Sequence, residues 1–205
     1  MGELIDTSVV IPAYNSSATI GEVVAECWSA GVGHVIVVDD GSLDDTADLA
    51  VRAGALLIRQ SNSGASVARD RGLEEVVTPF VLFLDSDDYP VGAGLRSLAA
   101  MLAAEPGAAA VVGGYRASSG GRSVTVMPWS SGISLAILLR RGQAPGPPGA
   151  ILWRTDAARS SRTALEIAPL RPRWAEDYES VIRGAMVGKM LTCPVVSCVY
   201  AMAGG

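Results

Sequence analysis

An apolar run of strand length, Phe80 to Leu84, ends abruptly in Asp85, Asp87 and Asp88, three carboxylates within four residues. In an extended chain, residues i and i+2 point to the same side, so Asp85 and Asp87 are expected to converge while Ser86 points away. Two converging carboxylates repel each other unless a cation or a proton lies between them. Oxygen ligands of this kind suit Mg²⁺ or Mn²⁺, held by one or two protein carboxylates together with substrate phosphates. Ligands of open α/β sheets bind in the crevice beyond the carboxyl ends of the strands. The end of this run is therefore the expected seat of a metal–phosphate complex.

The rest of the first half is compatible with such a sheet. Thr7 to Ile11 is a β-branched strand broken by Pro12, and a helix capped by Ser16 or Ser17 follows, with Ile20, Val23, Val24 and Cys27 at helical spacing and Gly31 at its end. A second strand, His34 to Val38, leads into Asp39-Asp40-Gly41-Ser42. Ser42 and Asp44 open a helix through about Ala53. Ala55 to Ile58 is a third strand, Ser61 to Gly64 a loop, and Ser66 to Val76 a helix. Strand and helix alternate with short connections, which implies right-handed βαβ units and a parallel sheet.

The second half is less regular. A helix around Leu95, Leu98, Met101 and Leu102 ends near Pro106, and strands at Ala109–Tyr115 and Ser123–Met127 flank a Ser119-Gly120-Gly121 turn. A helix from about Ser134 to Arg141 precedes a Gly/Pro loop, Gln143 to Gly149, and a short strand, Ala150 to Trp153. Thr155 to Arg173 is polar and ambiguous, Asp177 to Val187 is a helix, and Val195 to Tyr200 is a closing strand. No repeat or linker divides the chain, which reads as one domain of 205 residues.

Composition narrows the classes of function. A net charge of −5 with no basic block argues against nucleic acid as a partner. Cys27, Cys193 and Cys198 form no CxxC and have no histidine nearby, so they read as buried thiols in a reducing compartment. No apolar run approaches the roughly 20 residues that span a bilayer, and the amino terminus lacks a signal-peptide pattern. The expectation is a cytoplasmic protein without a transmembrane segment.

Polar groups close each strand of the first half: Pro12-Ala13-Tyr14-Asn15 the first, Asp39 and Asp40 the second, Asp85, Asp87 and Asp88 the fourth. A tyrosine ring can stack on a nucleobase, and a carboxylate can accept a base N–H. Arg69 starts a helix after a glycine loop, a place where phosphates are favoured. Singly, each motif reads equally well as a turn or a cap; their succession at strand ends raises the functional reading. No GxGxxG follows a strand and no GxxxxGK[ST] occurs, so a dinucleotide enzyme or a P-loop nucleotidase is unsupported.

Val9 to Asn15 and Val37 to Thr46 resemble the opening of a family 2 glycosyltransferase of the GT-A fold. Asn62 to Gly72 is similar to that family's loop-and-helix segment, with Asp70 in place of its usual Asn. Leu84-Asp85-Ser86-Asp87-Asp88 matches the family's DxD metal motif, and Ala175-Glu176-Asp177-Tyr178 its late ED motif. The resemblance is close from Thr7 to Asp88 and looser from Ala150 onward.

It implies a single-domain, Rossmann-like α/β fold with a mostly parallel central sheet flanked by helices. About residues 1–105 would bind the nucleotide sugar and about 106–205 the acceptor. It implies an inverting transfer from a nucleoside-diphosphate sugar, UDP first with GDP and dTDP open, to a small-molecule, glycan or peptide hydroxyl. Pro12, Tyr14, Asp40, Arg69, Asp85 and Ser86 would contact the donor, with Asp40 on the base and Arg69 near the base or diphosphate. Asp87, with Asp85 and Asp88, would hold the Mn²⁺ or Mg²⁺. Asp177 would be the catalytic base, kept ionised by the helix it opens. Glu176, Trp153 and Trp174 would face the acceptor, with Trp129 a further candidate platform, and Gln143–Gly149 would be either a lid or a rigid connector. A catalytically silent nucleotide-sugar-binding subunit and a sugar nucleotidyltransferase are the rival readings, the latter weakened by the lack of a glycine-rich basic loop after the first strand. Sugar, acceptor, pathway and oligomeric state stay open.

Overall fold

The computed structural model describes residues 4–119, 122–164 and 176–201. Strands β1 (Thr7–Ala13), β2 (His34–Asp39), β3 (Leu56–Arg59), β4 (Phe80–Phe83), β5 (Tyr89–Pro90), β6 (Ala108–Ser119), β7 (Arg122–Val126), β8 (Ile151–Arg154) and β9 (Lys189–Ala201) build one sheet. Helices α1 (Ile20–Ala30), α2 (Thr46–Arg52), α3 (Ala65–Glu74), α4 (Gly92–Ala104), α5 (Leu135–Arg141), α6 (Thr155–Thr163) and α7 (Glu176–Val187) cover it. The strand order is β3-β2-β1-β4-β8-β6-β9-β5, with β7 paired to β6.

The first four strands are mutually parallel, as the βαβ alternation requires. Beyond β4 the order breaks: β8 enters antiparallel to both β4 and β6, and β9 then runs parallel to β6. The sheet is therefore mostly parallel, with β5, β7 and β8 reversed. β9 is much longer than the closing strand expected from Val195, and the two-residue β5 was not expected at all.

Alternation along the strands sends side chains to two separate cores. Val9 and Ile11 of β1, Val35 and Val37 of β2 and Leu82 of β4 pack with Ile20, Val24, Leu95 and Leu98 of α1 and α4. Val10, Ile36, Val38, Val81 and Phe83 point the other way, onto Ala68, Leu73, Leu138, Ala158 and Val181 from α3, α5, α6 and α7. Strands apolar on both faces are what a sheet covered on both sides demands.

Three local expectations need correction. β1 does not stop before Pro12: its ladder with β4 ends at Val10, while its ladder with β2 continues to Ala13. One flank at Pro12 thus lacks a partner, and a residue without an N–H fits there. Ser16 and Ser17 do not cap α1, which starts after Thr19; the Ser16 carbonyl accepts from Thr19 and Ile20 instead. α2 begins only at Thr46, whose N–H donates to Asp44 Oδ1 at 3.1 Å. With its other oxygen accepting from Ser17, the Asp44 carboxyl is held well below the usual carboxylate range, chiefly by its bonds to Thr46.

Candidate active site

The carboxyl ends of β1, β2 and β4 meet where the strand order reverses, with β2 on one side of β1 and β4 on the other. The loop after β1 is pinned there by local bonds. Asn15, at φ 50°, donates its N–H to Ser42 Oγ at 2.9 Å and accepts from Leu43 N–H at 2.8 Å. Ser16 and Ser86 hydroxyls meet at 2.8 Å, and Thr19 donates to the Ser86 carbonyl at 2.7 Å, fastening this loop to the end of β4. Tyr14 is left half exposed, its ring free to stack.

The end of β4 is a turn and not an extension of the strand. Leu84 N–H donates to the Val10 carbonyl at 3.0 Å, and Asp88 N–H to the Asp85 carbonyl at 3.1 Å. The convergence expected from an extended chain is thereby replaced by three different environments. Asp85 Oδ1 accepts from Arg69 at 2.6 Å. Asp87 faces solvent, and its carboxyl is raised by partial burial and then by the charge of Asp85.

Asp88, expected among the metal ligands, is fully buried; its Oδ1 accepts from Ala201 N–H at 2.9 Å, and its Oδ2 lies 4.0 Å from Cys198 Sγ. Burial pushes its carboxyl up to about 8. It is a strut between the β4 turn and β9, turned away from the cleft. Among the described residues no three acidic, cysteine or histidine side chains are grouped to hold a metal. Of Asp85, Asp87 and Asp88, Asp87 is the carboxylate left facing solvent, close enough to Asp85 to be raised by its charge.

Asp40 is also committed locally. Its Oδ1 accepts from Gln60 Nε2 at 2.7 Å and Ser63 N–H at 2.8 Å, and its Oδ2 from Gly64 N–H at 2.8 Å. The carboxylate, 4% exposed, thus shapes the 60–64 loop that leads into α3. Asp39, just before it, accepts from Ser42 N–H and pairs with Arg59 at 3.5 Å.

α3 lies tight on β1, because a Cβ at Gly72 would stand 2.4 Å from Val10 Cγ1. One turn earlier Arg69, only 7% exposed, projects between the β4 turn and the start of α7. Its Nη1 donates to Asp177 Oδ1 at 2.9 Å and lies 3.8 Å from Glu176 Oε1, while Nη2 holds Asp85. Asp177 is raised to about 6, by burial first, against the lowering effect of Arg69. Burial thus outweighs the Arg69 cation, and a carboxyl near 6 is still ionised at neutral pH.

Asp85 and Asp177 share the floor of an open cleft of about 630 Å³, walled by Tyr115, Tyr200 and the loop from Gln143 to Pro148. The loop ends in a buried turn at Pro148–Ala150, where a Cβ on Gly149 would stand 2.8 Å from Cys198 Sγ and from Leu84. That end is a packed connector. Tyr115 and Tyr200 meet edge to face, with centroids 6.2 Å apart, and were missed by the sequence reading. Only the pairing of β6 with β9, which sets Tyr115 opposite Cys198, brings them together. The aromatic residues chosen instead fare differently. Trp153 is 5% exposed and belongs to the core, where its ring abuts Gly184 of α7. Trp129 lies under the Arg141 guanidinium at 4.4 Å, and Trp174 falls outside the described residues.

Comparison with known structures defines the class first. TarS of S. aureus (residues 1–349) superposes with a TM-score of 0.74 at 21% identity, over 95% of this chain and 60% of that one. The Pyrobaculum calidifontis mannosyltransferase PcManGT, solved with GDP-Man and Mn²⁺, gives 0.68 at 18% identity, over 97% of this chain and 57% of that one. These likenesses establish a GT-A glycosyltransferase fold. The sequence then fixes the family: the Glycosyl transferase family 2 model matches residues 8–158, and the chain belongs to that family. Glycosyltransferase AglJ of Haloferax volcanii is 39% identical over 80 residues, 38% of this chain and 26% of that protein. An uncharacterised glycosyltransferase of Mycobacterium bovis is 30% identical over 131 residues, 64% of this chain and 56% of that protein. The matched stretches thus amount to less than two thirds of each relative's length.

Proposed function

We propose that the chain is an inverting, metal-dependent glycosyltransferase that moves a sugar from a nucleoside-diphosphate sugar to an acceptor hydroxyl. The observation that carries this reading is the cleft in which Asp85, at the strand end where donors bind in such sheets, and Asp177, raised to about 6, share one floor. UDP is the first choice of carrier, supported by the TarS structures solved with UDP and with UDP-GlcNAc; GDP follows, from the GDP-Man complex of PcManGT.

The chemistry needs one base and no covalent intermediate. Asp177 takes the proton of an acceptor hydroxyl as that oxygen attacks the anomeric carbon, while the nucleoside diphosphate leaves from the opposite face. Its shifted carboxyl is ionised at neutral pH yet basic enough to accept a proton. Asp87 and Asp85 would hold a divalent ion, which neutralises charge on the leaving diphosphate. Tyr14 is open to stack on the base, and Glu176 lies beside Asp177 on the acceptor side. The acceptor is a small molecule, glycan or peptide. No helix among the described residues is long and apolar enough to cross a membrane. We place the protein in the cytoplasm, a reading supported by three buried cysteines, all unpaired.

Calorimetric titration of UDP, GDP and dTDP, each with and without Mn²⁺, tests this. The expected result is manganese-dependent binding of UDP, tighter than that of the other two. Binding of none of them would contradict a working donor site.

A further inference from the structure

Arg69 carries more of this site than its motif implies. Its guanidinium is buried, yet both terminal nitrogens are spent on carboxylates from two distant parts of the chain: Asp85 at the end of β4, and Asp177 with Glu176 at the start of α7. A planar fork can hold two carboxylates at once in fixed directions, which a lysine ammonium cannot. The fork itself is held still, since α3 is seated on β1 through Gly72. Among the described residues, four groups face Asp177: Arg69 from α3, Asp85 from the β4 turn, Glu176 on its own helix and Tyr200 from β9. Arg162 of α6 lines the apolar cavity beneath it, bonded to Asp70 and Ser180. Without Arg69, Asp85, Glu176 and Asp177 would converge with no guanidinium between them.

We propose that Arg69 is a positioning residue for the base: it fixes the direction of the Asp177 carboxylate and locks it to Asp85, and does not itself contact the donor. This departs from the family resemblance, which puts Arg69 near the base or diphosphate of the nucleotide. It rests on the reading of Asp177 as the base. The α3 arginine thereby joins the donor end of the cleft to its acceptor end, braced on Asp85, whose own place is set by the β4 turn.

The test compares Arg69→Met, Arg69→Lys, Asp177→Asn and the double variant Arg69→Met/Asp177→Asn with the wild type. UDP affinity is measured by calorimetry with Mn²⁺. Turnover is measured as nucleoside-diphosphate release from the nucleotide sugar that the wild type consumes, between pH 5 and 9. A positioning role predicts UDP affinity within about threefold of wild type, with turnover of Arg69→Met at pH 7 down on the order of 100-fold, the cost of a misaimed reacting group. Its acid limb moves upward by about one pH unit or more, as loss of a paired cation requires. Arg69→Lys keeps the limb near its wild-type place but still loses turnover, because one ammonium cannot aim both carboxylates. The double variant is no slower than Asp177→Asn alone, since the two act as one unit. UDP affinity weakened tenfold or more with turnover intact would assign Arg69 to the donor and overturn the proposal. Losses that add in the double variant would overturn it too, by showing a purely structural role. If Arg69→Met fails to fold, the Arg69→Lys turnover and affinity decide. Absence of turnover in the wild type would count against glycosyl transfer itself.

Discussion

Burial pushes the Asp177 carboxyl up and Arg69 pulls it down, leaving it at about 6. A general base works only when ionised, so kcat/KM should fall with decreasing pH along a limb centred near 6 and level off above 7. A pH–rate profile on saturating metal checks this, and an acid limb near 4 would mean that the titrating group is an ordinary exposed carboxylate. The residue scale also shows where sequence reading succeeds. Asp177, Glu176, Asp85 and Arg69 were all visible as motif residues, and the structure brings them together. What a linear motif cannot show is which carboxylate each donor takes. Asp88 sits beside Asp87 in sequence but bonds Ala201, 113 residues away. Trp153 looked like a platform because it flanks a loop, but alternation along β8 sends its ring into the core.

The element that carries Asp177 is seated by a close contact. In α7, a Cβ at Gly184 would come within 2.3 Å of the Trp153 ring, so the helix can lie on β8 only with glycine there. Gly184→Ala should therefore destabilise the fold by about 1–3 kcal/mol, the usual cost of overpacking a core. It should also lower turnover by shifting Asp177, since the same helix begins with Glu176 and Asp177. Thermal unfolding and a kcat measurement check the two effects; an unchanged melting temperature would refute this packing. A second element-scale contact involves Asp70, the position where the family resemblance expects Asn. Arg162 of α6 meets it at 2.8 Å, tying α6 to α3. Arg162→Ala should loosen α6 and cost about 1–3 kcal/mol by breaking this half-buried charged contact. A thermal melt checks it, and an unchanged melting temperature would show that the pair does not hold α6. Elements with strong periodicity, such as α1, α4 and the first four strands, were legible in the sequence. The antiparallel insertion of β8, the length of β9 and the existence of β5 were not. Each depends on a partner strand far along the chain, which local pattern does not encode.

Across the whole molecule, the first and second halves of the chain share one sheet, and a buried acid adds a link between them. Asp88 links the β4 turn to the last described residue of β9 and is raised to about 8 by burial. In the unfolded chain the same group ionises near ~3.9. Between those values the folded protein holds the extra proton, so this group's contribution to stability is full below about 4 and is lost as pH rises towards 8. Melting temperature in EDTA should fall from pH 5 to pH 8, and Asp88→Asn should flatten that fall while keeping the bond from Ala201. A wild-type slope unchanged by the substitution would show that Asp88 ionises normally in the folded state. The same long-range geometry explains why Tyr115 and Tyr200 escaped the sequence reading: this wall of the cleft exists only where β6 pairs with β9.

The central claim is that this cleft transfers a sugar with Asp177 as the base. Asp177→Asn tests it most directly, with UDP affinity and nucleoside-diphosphate release measured on one preparation in the presence of Mn²⁺. The amide removes the proton acceptor and keeps the shape, so UDP should bind with wild-type affinity while release falls on the order of 100-fold or more. Release at the wild-type rate would contradict the account, because the reaction would then run without the base assigned to it.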